Sequence, residues 1–188
     1  MTPSTARTLN AFGLLAVSLV LIAAFLDQFL LGELPCPLCL LQRVGFMGAA
    51  LGLALNVQFG PRPSHYAVTI LSACFGGMVS IRQILGHIVP GTGTYGSPIL
   101  GLHYYSWALL IFGAIVLGCT ALLFFERQFE QPETAPARAT TFGMAMVGLA
   151  ATLALANGVS TVLECGAGLC PDNPVVYEWL QGLNSPRP

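Results

Sequence analysis

The sequence has very little charge: 8% of its 188 residues are charged, and all seven basic residues are arginine, so lysine is absent. A soluble domain is typically about a quarter charged, so this composition excludes an ordinary soluble fold. The net charge of −1 gives no basic surface for nucleic acid, and the charges are too sparse for a polybasic membrane-binding patch. Because 55% of the residues are hydrophobic, the composition predicts an integral membrane protein.

Five apolar runs dominate the sequence, and each has the roughly 20 residues that a helix needs to cross the hydrocarbon core. The first run is longer than the apolar part of a signal peptide and has no clear cleavage site, so it is interpreted as a helix. The sequence therefore predicts an all-α polytopic membrane helix bundle in a single integral membrane domain, residues 1–188, with a polar tail at 164–188. The predicted helices span about 9–31, 40–59, 66–89, 99–125 and 140–163.

Arginine is distributed unevenly among the connections between these helices. Five crossings place the N-terminus and every second connection on one side, which carries Arg7, Arg62, Arg127 and Arg138. The other side carries Arg187 alone outside the helices. Because positive loops stay in the cytoplasm, the four-arginine side is predicted to be cytoplasmic, and the C-terminal tail is predicted to be outside.

Cys36 and Cys39 form a C-x-x-C motif where a proline-rich turn leads into an apolar helix. With the helix expected from Leu40, Cys39 lies at or just before its N-terminus, where free N–H groups and the helix dipole favour a thiolate. A thiolate is the reactive form of cysteine, and Arg43 adds a positive charge one turn later. The motif indicates a redox-active dithiol at a membrane surface. The alternatives are a structural disulfide or two small apolar residues at a helix start.

Cys165 and Cys170 form a second pair in a short loop that contains two glycines. Closing so short a loop removes little entropy from the unfolded chain, so stability is a poor reason for a disulfide here. An exposed, strained disulfide would exchange readily, although a structural staple is the alternative. Four crossings separate the two pairs, so both are predicted to face outside, where disulfides persist. The remaining cysteines, Cys74 and Cys119, lie inside apolar runs and are interpreted as packing residues.

Two arginines, Arg43 and Arg82, lie inside apolar runs near the predicted outer face. An intramembrane charge is expensive and indicates function, with snorkelling to the interface as the alternative. Together with neighbouring polar groups, they could line a pocket for a flat, lipid-soluble ring, although the aromatic members are also typical of an interfacial belt. These neighbours are Gln42, Gln83, His87, His103, Tyr104, Tyr105 and Trp107.

The C-x-x-C motif followed by Gln42-Arg43, at the start of the second helix, resembles the disulfide bond formation protein B (DsbB) family. Members are bacterial inner-membrane enzymes that reoxidise a periplasmic thioredoxin-fold oxidase, DsbA, and pass electrons to quinone. The resemblance covers residues 9–125 and implies a four-helix core to which this chain adds a fifth helix. It implies that Cys36 and Cys39 are the quinone-coupled pair and that Arg43 contacts the quinone. Arg82 and His87 are further candidates for quinone binding.

This chain departs from the family pattern in one respect. The family usually carries its second cysteine pair between helices three and four, where residues 90–98 contain no cysteine here. Cys165 and Cys170 are therefore interpreted as the relocated shuttle pair that meets the soluble partner.

The resulting hypothesis is an inner-membrane oxidoreductase with ubiquinone or menaquinone as cofactor, a DsbA-like periplasmic partner, and no metal. Alternatives are a reductant conduit running the exchange in the opposite direction, a thiolate metal-handling protein, and a scaffold with two structural disulfides.

Overall fold

Five long helices form a bundle in the computed structural model, which describes residues 1–89, 91, 93, 98–130, 139–166 and 168–184. In that part of the chain, five helices are long and apolar enough to cross a membrane, which confirms the predicted all-α polytopic bundle. A π-helical turn, Asp27–Leu31, continues the first helix, and a 3-10 turn, Glu126–Phe129, follows the fourth. The helices are α1 (Pro3–Leu26), α2 (Pro37–Phe59), α3 (Pro63–Gly86), α4 (Tyr104–Leu123), α5 (Thr141–Cys165) and the short α6 (Glu178–Asn184).

Several helices begin earlier or end later than the sequence predicted. α2 begins at Pro37 and not at Leu40, because proline has a preset φ and its missing N–H costs nothing in a first turn. Cys36 is therefore the N-cap residue, and Cys39 lies inside the first turn. α5 continues through Cys165, so Glu164 belongs to this helix and not to the tail.

α4 begins at Tyr104, so the prediction of a helix from Ile99 is wrong. Ile99 and Leu102 exchange two backbone hydrogen bonds of 2.9 and 3.0 Å, which close a tight turn. The two residues between them, Leu100 and Gly101, have φ values of 51° and 81°. Backbone in this left-handed region cannot continue a right-handed helix, and the turn ends before α4 starts.

Small residues bring α2 and α3 into close contact at the centre of the bundle. A Cβ atom on Gly45 would lie 2.8 Å from the Cα of Gly76, and one on Gly48 would lie 2.5 Å from Ser72 Oγ. The Phe112 ring of α4 covers Gly76 and stacks on Phe46, with 4.0 Å between ring centroids. Membrane helices pack in this way because small residues let their backbones approach closely.

We expect Gly45→Val to destabilise the bundle, since the new side chain would push α2 away from α3. Overpacking a tight contact costs about 1–3 kcal/mol, so the thermal unfolding midpoint in detergent should fall. Gly113→Val in α4 is the matched control, because a Cβ atom on Gly113 has no neighbour within 4 Å. If the unfolding midpoint falls equally in the two variants, the effect comes from the change in helix propensity, and the packing argument is contradicted.

A buried polar network closes the end of the bundle opposite Cys36. Asn10 Nδ2 donates to the Tyr66 hydroxyl at 2.8 Å, and Asn56 Nδ2 donates to Asn10 Oδ1 at 2.9 Å. The Tyr66 hydroxyl in turn donates to Gln128 Oε1 at 2.8 Å. All four side chains are almost completely buried, and their mutual hydrogen bonds satisfy groups that lipid could not. The network ties α1, α2 and α3 to the 3-10 turn.

The predicted sidedness of the membrane remains a prediction. Arg7, Arg62 and Arg127 all lie at or near the end of the bundle that holds the polar network. Arg138 and Arg187 lie outside the described residues, as does most of the 90–98 connection.

Candidate functional site

Cys36 and Cys39 lie together at the start of α2. The Sγ atom of Cys36 caps the helix by accepting the backbone N–H of Cys39 at 3.2 Å. Both residues carry free thiols; Cys36 is buried and Cys39 is half-buried. The side-chain hydrogen bond to Cys39, together with burial, raises the pKa of the Cys36 thiol well above its ordinary value. Of the two thiols, Cys39 is therefore the better placed to react as a thiolate.

Gln83 of α3 supplies the amide that faces both sulfur atoms. Its Nε2 lies 3.4 Å from Cys36 Sγ and 3.6 Å from Cys39 Sγ, and the side chain is only 1% exposed. Its Oε1 accepts from Gln42 Nε2 at 2.8 Å, which fixes the orientation of the amide. Sequence reasoning placed Gln83 only among the polar neighbours of the site. The feature of the sequence that could have identified Gln83 is its position as a polar residue inside an apolar run.

An apolar cavity of about 270 Å³ opens beside Cys39. Within the described part of the chain, Cys39 is the one cysteine that lines it, and Cys36 is not a lining residue. The walls come from α1, α2, α3, α4 and the segment between α1 and α2. The side chains with polar or aromatic groups on these walls are Asp27, Glu33, Gln42, Arg43, Phe46, Gln83, Tyr104, Tyr105 and Trp107.

Arg43 is held inside the bundle and does not snorkel. Its side chain is 8% exposed, with Nη1 donating to Gln28 Oε1 and Nη2 to the Ala24 carbonyl, both at 2.8 Å. The guanidinium carbon also lies 5.2 Å from the centroid of the Phe25 ring, a cation–π arrangement. These contacts fix a positive charge at the cavity wall, about one helical turn from Cys39.

The structure does not bring Arg82 or His87 into this cavity. Arg82 is exposed on the outer surface of α3, because successive helical residues point about 100° apart and Gln83 occupies the inner position. His87 lies just after α3, where its Nδ1 donates to the Gln83 carbonyl at 2.8 Å and its ring stacks on Tyr105 at 5.4 Å. Of the three predicted quinone contacts, Arg43 alone lines the cavity beside Cys39.

Cys165 and Cys170 are joined by a disulfide, with 4.4 Å between their Cα atoms. Cys165 is the last residue of α5 and is buried, while Cys170 is half-buried in the following loop. The pair lies near the same end of the bundle as Cys36, since Gln28 beside Arg43 contacts Tyr177 of the tail at 3.0 Å. Among the described residues, no three His, Cys, Asp or Glu side chains are grouped to hold a metal ion.

Glu164, the residue before Cys165, carries the most unusual carboxylate in this region. It is 0% exposed, and neither carboxylate oxygen has a hydrogen-bond partner within the described part of the chain. It lies one helical turn after Ser160, which contacts Gln28 beside Arg43. Sequence reasoning missed Glu164 because it assigned the residue to the polar tail.

In a comparison with known protein families, residues 6–94 match the family model "Disulfide bond formation protein DsbB". The chain is similar to the Disulfide bond formation protein B of Marinobacter nauticus, with 43% identity over 84 residues, which cover 43% of this chain and 50% of that protein. It is 31% identical over 88 residues to the protein of the same name from Stutzerimonas stutzeri, covering 45% of this chain and 54% of the relative.

A third relative of that name, from Chromobacterium violaceum, is 38% identical over 65 residues, covering 32% of this chain and 39% of the relative. The chain therefore spans about half or less of the length of these curated relatives. No solved structure matches. The family match contains Cys36, Cys39, Arg43 and Gln83 and ends before α4 and α5.

Proposed function

We propose that the protein is a quinone-dependent thiol:disulfide oxidoreductase of a bacterial inner membrane, because residues 6–94 match the DsbB family model. It reoxidises a DsbA-like periplasmic partner and passes the electrons to membrane quinone. Both cysteine pairs and the C-terminus face the periplasm, and the N-terminus is cytoplasmic. One observation carries the proposal: the Cys39 thiol and the buried Arg43 guanidinium line the same apolar cavity.

The cavity suits the head group of ubiquinone or menaquinone. An apolar cavity of about 150 Å³ holds benzene, so one of about 270 Å³ accommodates a larger, substituted ring. Phe46 and Trp107 offer flat walls, and the guanidinium of Arg43 has N–H donors beyond the two that bond Gln28 and Ala24. When bound, quinone accepts two electrons and two protons.

The chain's own thiols carry the electrons to this cavity in two exchanges. A reduced partner attacks the Cys165–Cys170 disulfide, whose S–S bond breaks to give two thiols while the partner becomes a disulfide. Cys165 and Cys170 then reduce a Cys36–Cys39 disulfide and are themselves reoxidised. Finally, the Cys36 and Cys39 thiols give up two electrons and two protons and form their disulfide again.

Arg43 and Gln83 stabilise the charges that arise during the last step. The fixed guanidinium favours negative charge on Cys39 Sγ and on a ligand oxygen in the cavity, because donors held in place need no reorganisation as charge develops. Gln83 donates toward the same sulfur, and the buried Cys36 remains a thiol until its disulfide forms. Cys39 is thus the residue that meets the electron acceptor.

The test of the proposed function is a complete reaction with purified protein. A reduced DsbA-type protein, the chain in detergent and a soluble quinone should give oxidised partner and quinol in equal amounts, with no turnover when quinone is left out. Cys74→Ser serves as a control, since this exposed cysteine of α3 lies outside the cavity. Partner oxidation that does not depend on quinone would contradict the proposal.

Arg43→Lys is expected to raise the Michaelis constant for quinone about tenfold with little change in helix content. Lysine keeps the positive charge but lacks the planar guanidinium, whose two nitrogens donate to Gln28 and to the Ala24 carbonyl at the same time. Steady-state kinetics and circular dichroism measure the two quantities. Arg82→Lys tests the other sequence-based candidate, and its position outside the cavity predicts a Michaelis constant equal to the parent's. A Michaelis constant for quinone that is unchanged in Arg43→Lys would show that Arg43 does not bind quinone.

A further inference from the structure

The amide of Gln28 connects α5 and the C-terminal tail to Arg43. Gln28 lies in the π-helical turn after α1, is 2% exposed and does not line the cavity. Its Oε1 accepts from Arg43 Nη1 at 2.8 Å, while its Nε2 donates to Ser160 Oγ at 2.8 Å and to the Tyr177 hydroxyl at 3.0 Å. Because an amide has one oxygen acceptor and one NH₂ group, these two hydroxyls keep the oxygen turned toward Arg43.

We propose that Gln28 is a positioning residue that holds Arg43 at the cavity wall, with Ser160 and Tyr177 holding Gln28 in turn. This inference rests on the proposed function. Ser160 and Tyr177 lie beyond the segment that matches the family model, on the helix and tail that carry the Cys165–Cys170 pair. The added helix is therefore part of the quinone site as well as the carrier of the second cysteine pair.

The geometry explains why the connection passes through this turn. Single π-helical turns inserted in α-helices are common at functional sites. Here the turn presents Gln28 to α5 and the tail, while the preceding α-helical turn presents the Ala24 carbonyl to the same guanidinium. If Gln28 were removed, the Ala24 carbonyl would still hold Nη2, but Nη1 would lose Gln28 Oε1 as its acceptor and the guanidinium could rotate.

Equilibrium binding of a soluble quinone tests the proposal without turnover. Trp107 lines the cavity, so quenching of its fluorescence reports occupancy in a Trp179→Phe background. Loss of a residue that orients a ligand-binding group costs about 10–100-fold in metal sites, and we expect Gln28→Met to raise Kd at least about tenfold. Tyr177→Phe should raise Kd by a smaller factor. Gln28→Glu keeps an oxygen for Arg43, and the Ser160 and Tyr177 hydroxyls can donate to its second oxygen, so its Kd should lie between those of the parent and Gln28→Met.

The controls separate this inference from the proposed function. Tyr66→Phe removes a buried hydroxyl at the other end of the bundle and should leave Kd unchanged. Parent-like Kd values in both Gln28→Met and Tyr177→Phe would overturn the inference alone. A parent protein whose Trp107 is not quenched at any quinone concentration would overturn the proposed function as well. If Gln28→Met does not fold, Tyr177→Phe and Ser160→Ala decide, because each removes one hydroxyl.

A second inference follows from the buried carboxylate of Glu164. Its two oxygens have no hydrogen-bond partner in the described part of the chain, although a buried charge without donors is costly. Glu164 lies one helical turn after Ser160, on the buried face of α5 that reaches Gln28. Gln28 in turn bonds Arg43, which lines the cavity together with Cys39.

We infer that Glu164 holds the proton that Cys39 gives up in the reduced protein. The S–H bond of Cys39 breaks with its electron pair left on sulfur, and an O–H bond forms on the carboxylate, so charge and atoms balance. When the Cys36–Cys39 disulfide forms, the proton on Glu164 and the proton of the Cys36 thiol are the two that the electron acceptor in the cavity would take up with the two electrons.

Of the other ionisable groups around this end, Asp27 and Tyr177 have hydrogen-bond partners, Glu178 lies on the surface, and Glu33 is half-buried on the cavity wall. Asp27 accepts from the Tyr104 hydroxyl at 2.8 Å, and Tyr177 accepts from Gln28. Glu178 of α6 is exposed. Glu164 thus combines complete burial with carboxylate oxygens that are open to a proton.

Infrared difference spectroscopy tests this second inference on protein without quinone. The reduced-minus-oxidised spectrum of the Cys36–Cys39 pair should contain a carboxylic acid band that Glu164→Gln removes and Glu126→Gln, at the other end of the bundle, retains. Turnover of Glu164→Gln should fall at least about tenfold with an altered pH profile, because proton transfer by a side chain contributes about 10²–10⁴-fold. A band that persists in Glu164→Gln, or a parent-like pH profile, would overturn the assignment.

Discussion

Replacing Cys39 with serine is expected to abolish electron transfer to quinone, lowering quinol formation at least about a thousandfold, as loss of a nucleophile does in other enzymes. Serine cannot form the disulfide, and within the described part of the chain no other cysteine lines the cavity. Cys36→Ser should have an effect of the same size, since the second electron must come from its sulfur. The measurement is the rate of quinol formation with a reduced partner.

Thiol alkylation gives this prediction an internal check on folding. In Cys36→Ser the half-buried Cys39 should react readily, whereas in Cys39→Ser the buried Cys36, 6% exposed, should react slowly. Cys119→Ser is the matched control, because that buried cysteine of α4 packs in the core away from the cavity. Parent-like quinol formation in either Cys36→Ser or Cys39→Ser would refute the role given to the pair.

The second large effect is expected from the double variant Cys165→Ser, Cys170→Ser. Oxidation of the protein partner should fall at least about a thousandfold, because the partner would have to reach the buried sulfur of Cys36 or the half-buried one of Cys39 directly. Quinone should still oxidise the Cys36–Cys39 dithiol, which alkylation followed by mass spectrometry can measure. Blocked partner oxidation with intact oxidation of the inner pair is the signature of a shuttle.

Single variants of this pair should also trap the partner. Cys170 is the more accessible sulfur, so the partner is expected to attack it, and Cys165→Ser should accumulate a mixed disulfide through Cys170. Cys170→Ser should accumulate less of this species, because Cys165 is buried at the end of α5. Partner oxidation at the parent's rate in the double variant would leave Cys165–Cys170 as a structural staple.

The helices and the first cysteine pair were predictable because their signals are local. An apolar run of membrane-spanning length indicates a helix wherever it lies, and Cys36 and Cys39 are marked by the prolines beside them and by Arg43. The boundaries were less accurate. Pro37 begins its helix instead of preceding it, and the positive φ of Leu100 delays α4.

The orientation of each helix about its axis could not be predicted from an apolar run. Side chains that face lipid and side chains that face the core are both apolar in a membrane, so composition does not separate the two faces. Arg82 and Gln83 are adjacent in the sequence, yet the tertiary structure turns Arg82 outward and Gln83 toward the sulfurs. We predicted Arg82 because it is an intramembrane charge. The neutral Gln83 beside it is the residue that lines the cavity and faces the two sulfur atoms.

The sequence by itself determined the membrane class, the five membrane-length helices of the described residues and the C-x-x-C motif at the start of α2. Only the tertiary structure decided that Gln28 joins Arg43 to Ser160 and Tyr177, and that Glu164 is buried near them. The physical reason is distance along the chain: more than a hundred residues separate Gln28 from either hydroxyl. Contacts of that kind depend on how α5 packs against α1 and α2, which no local pattern specifies.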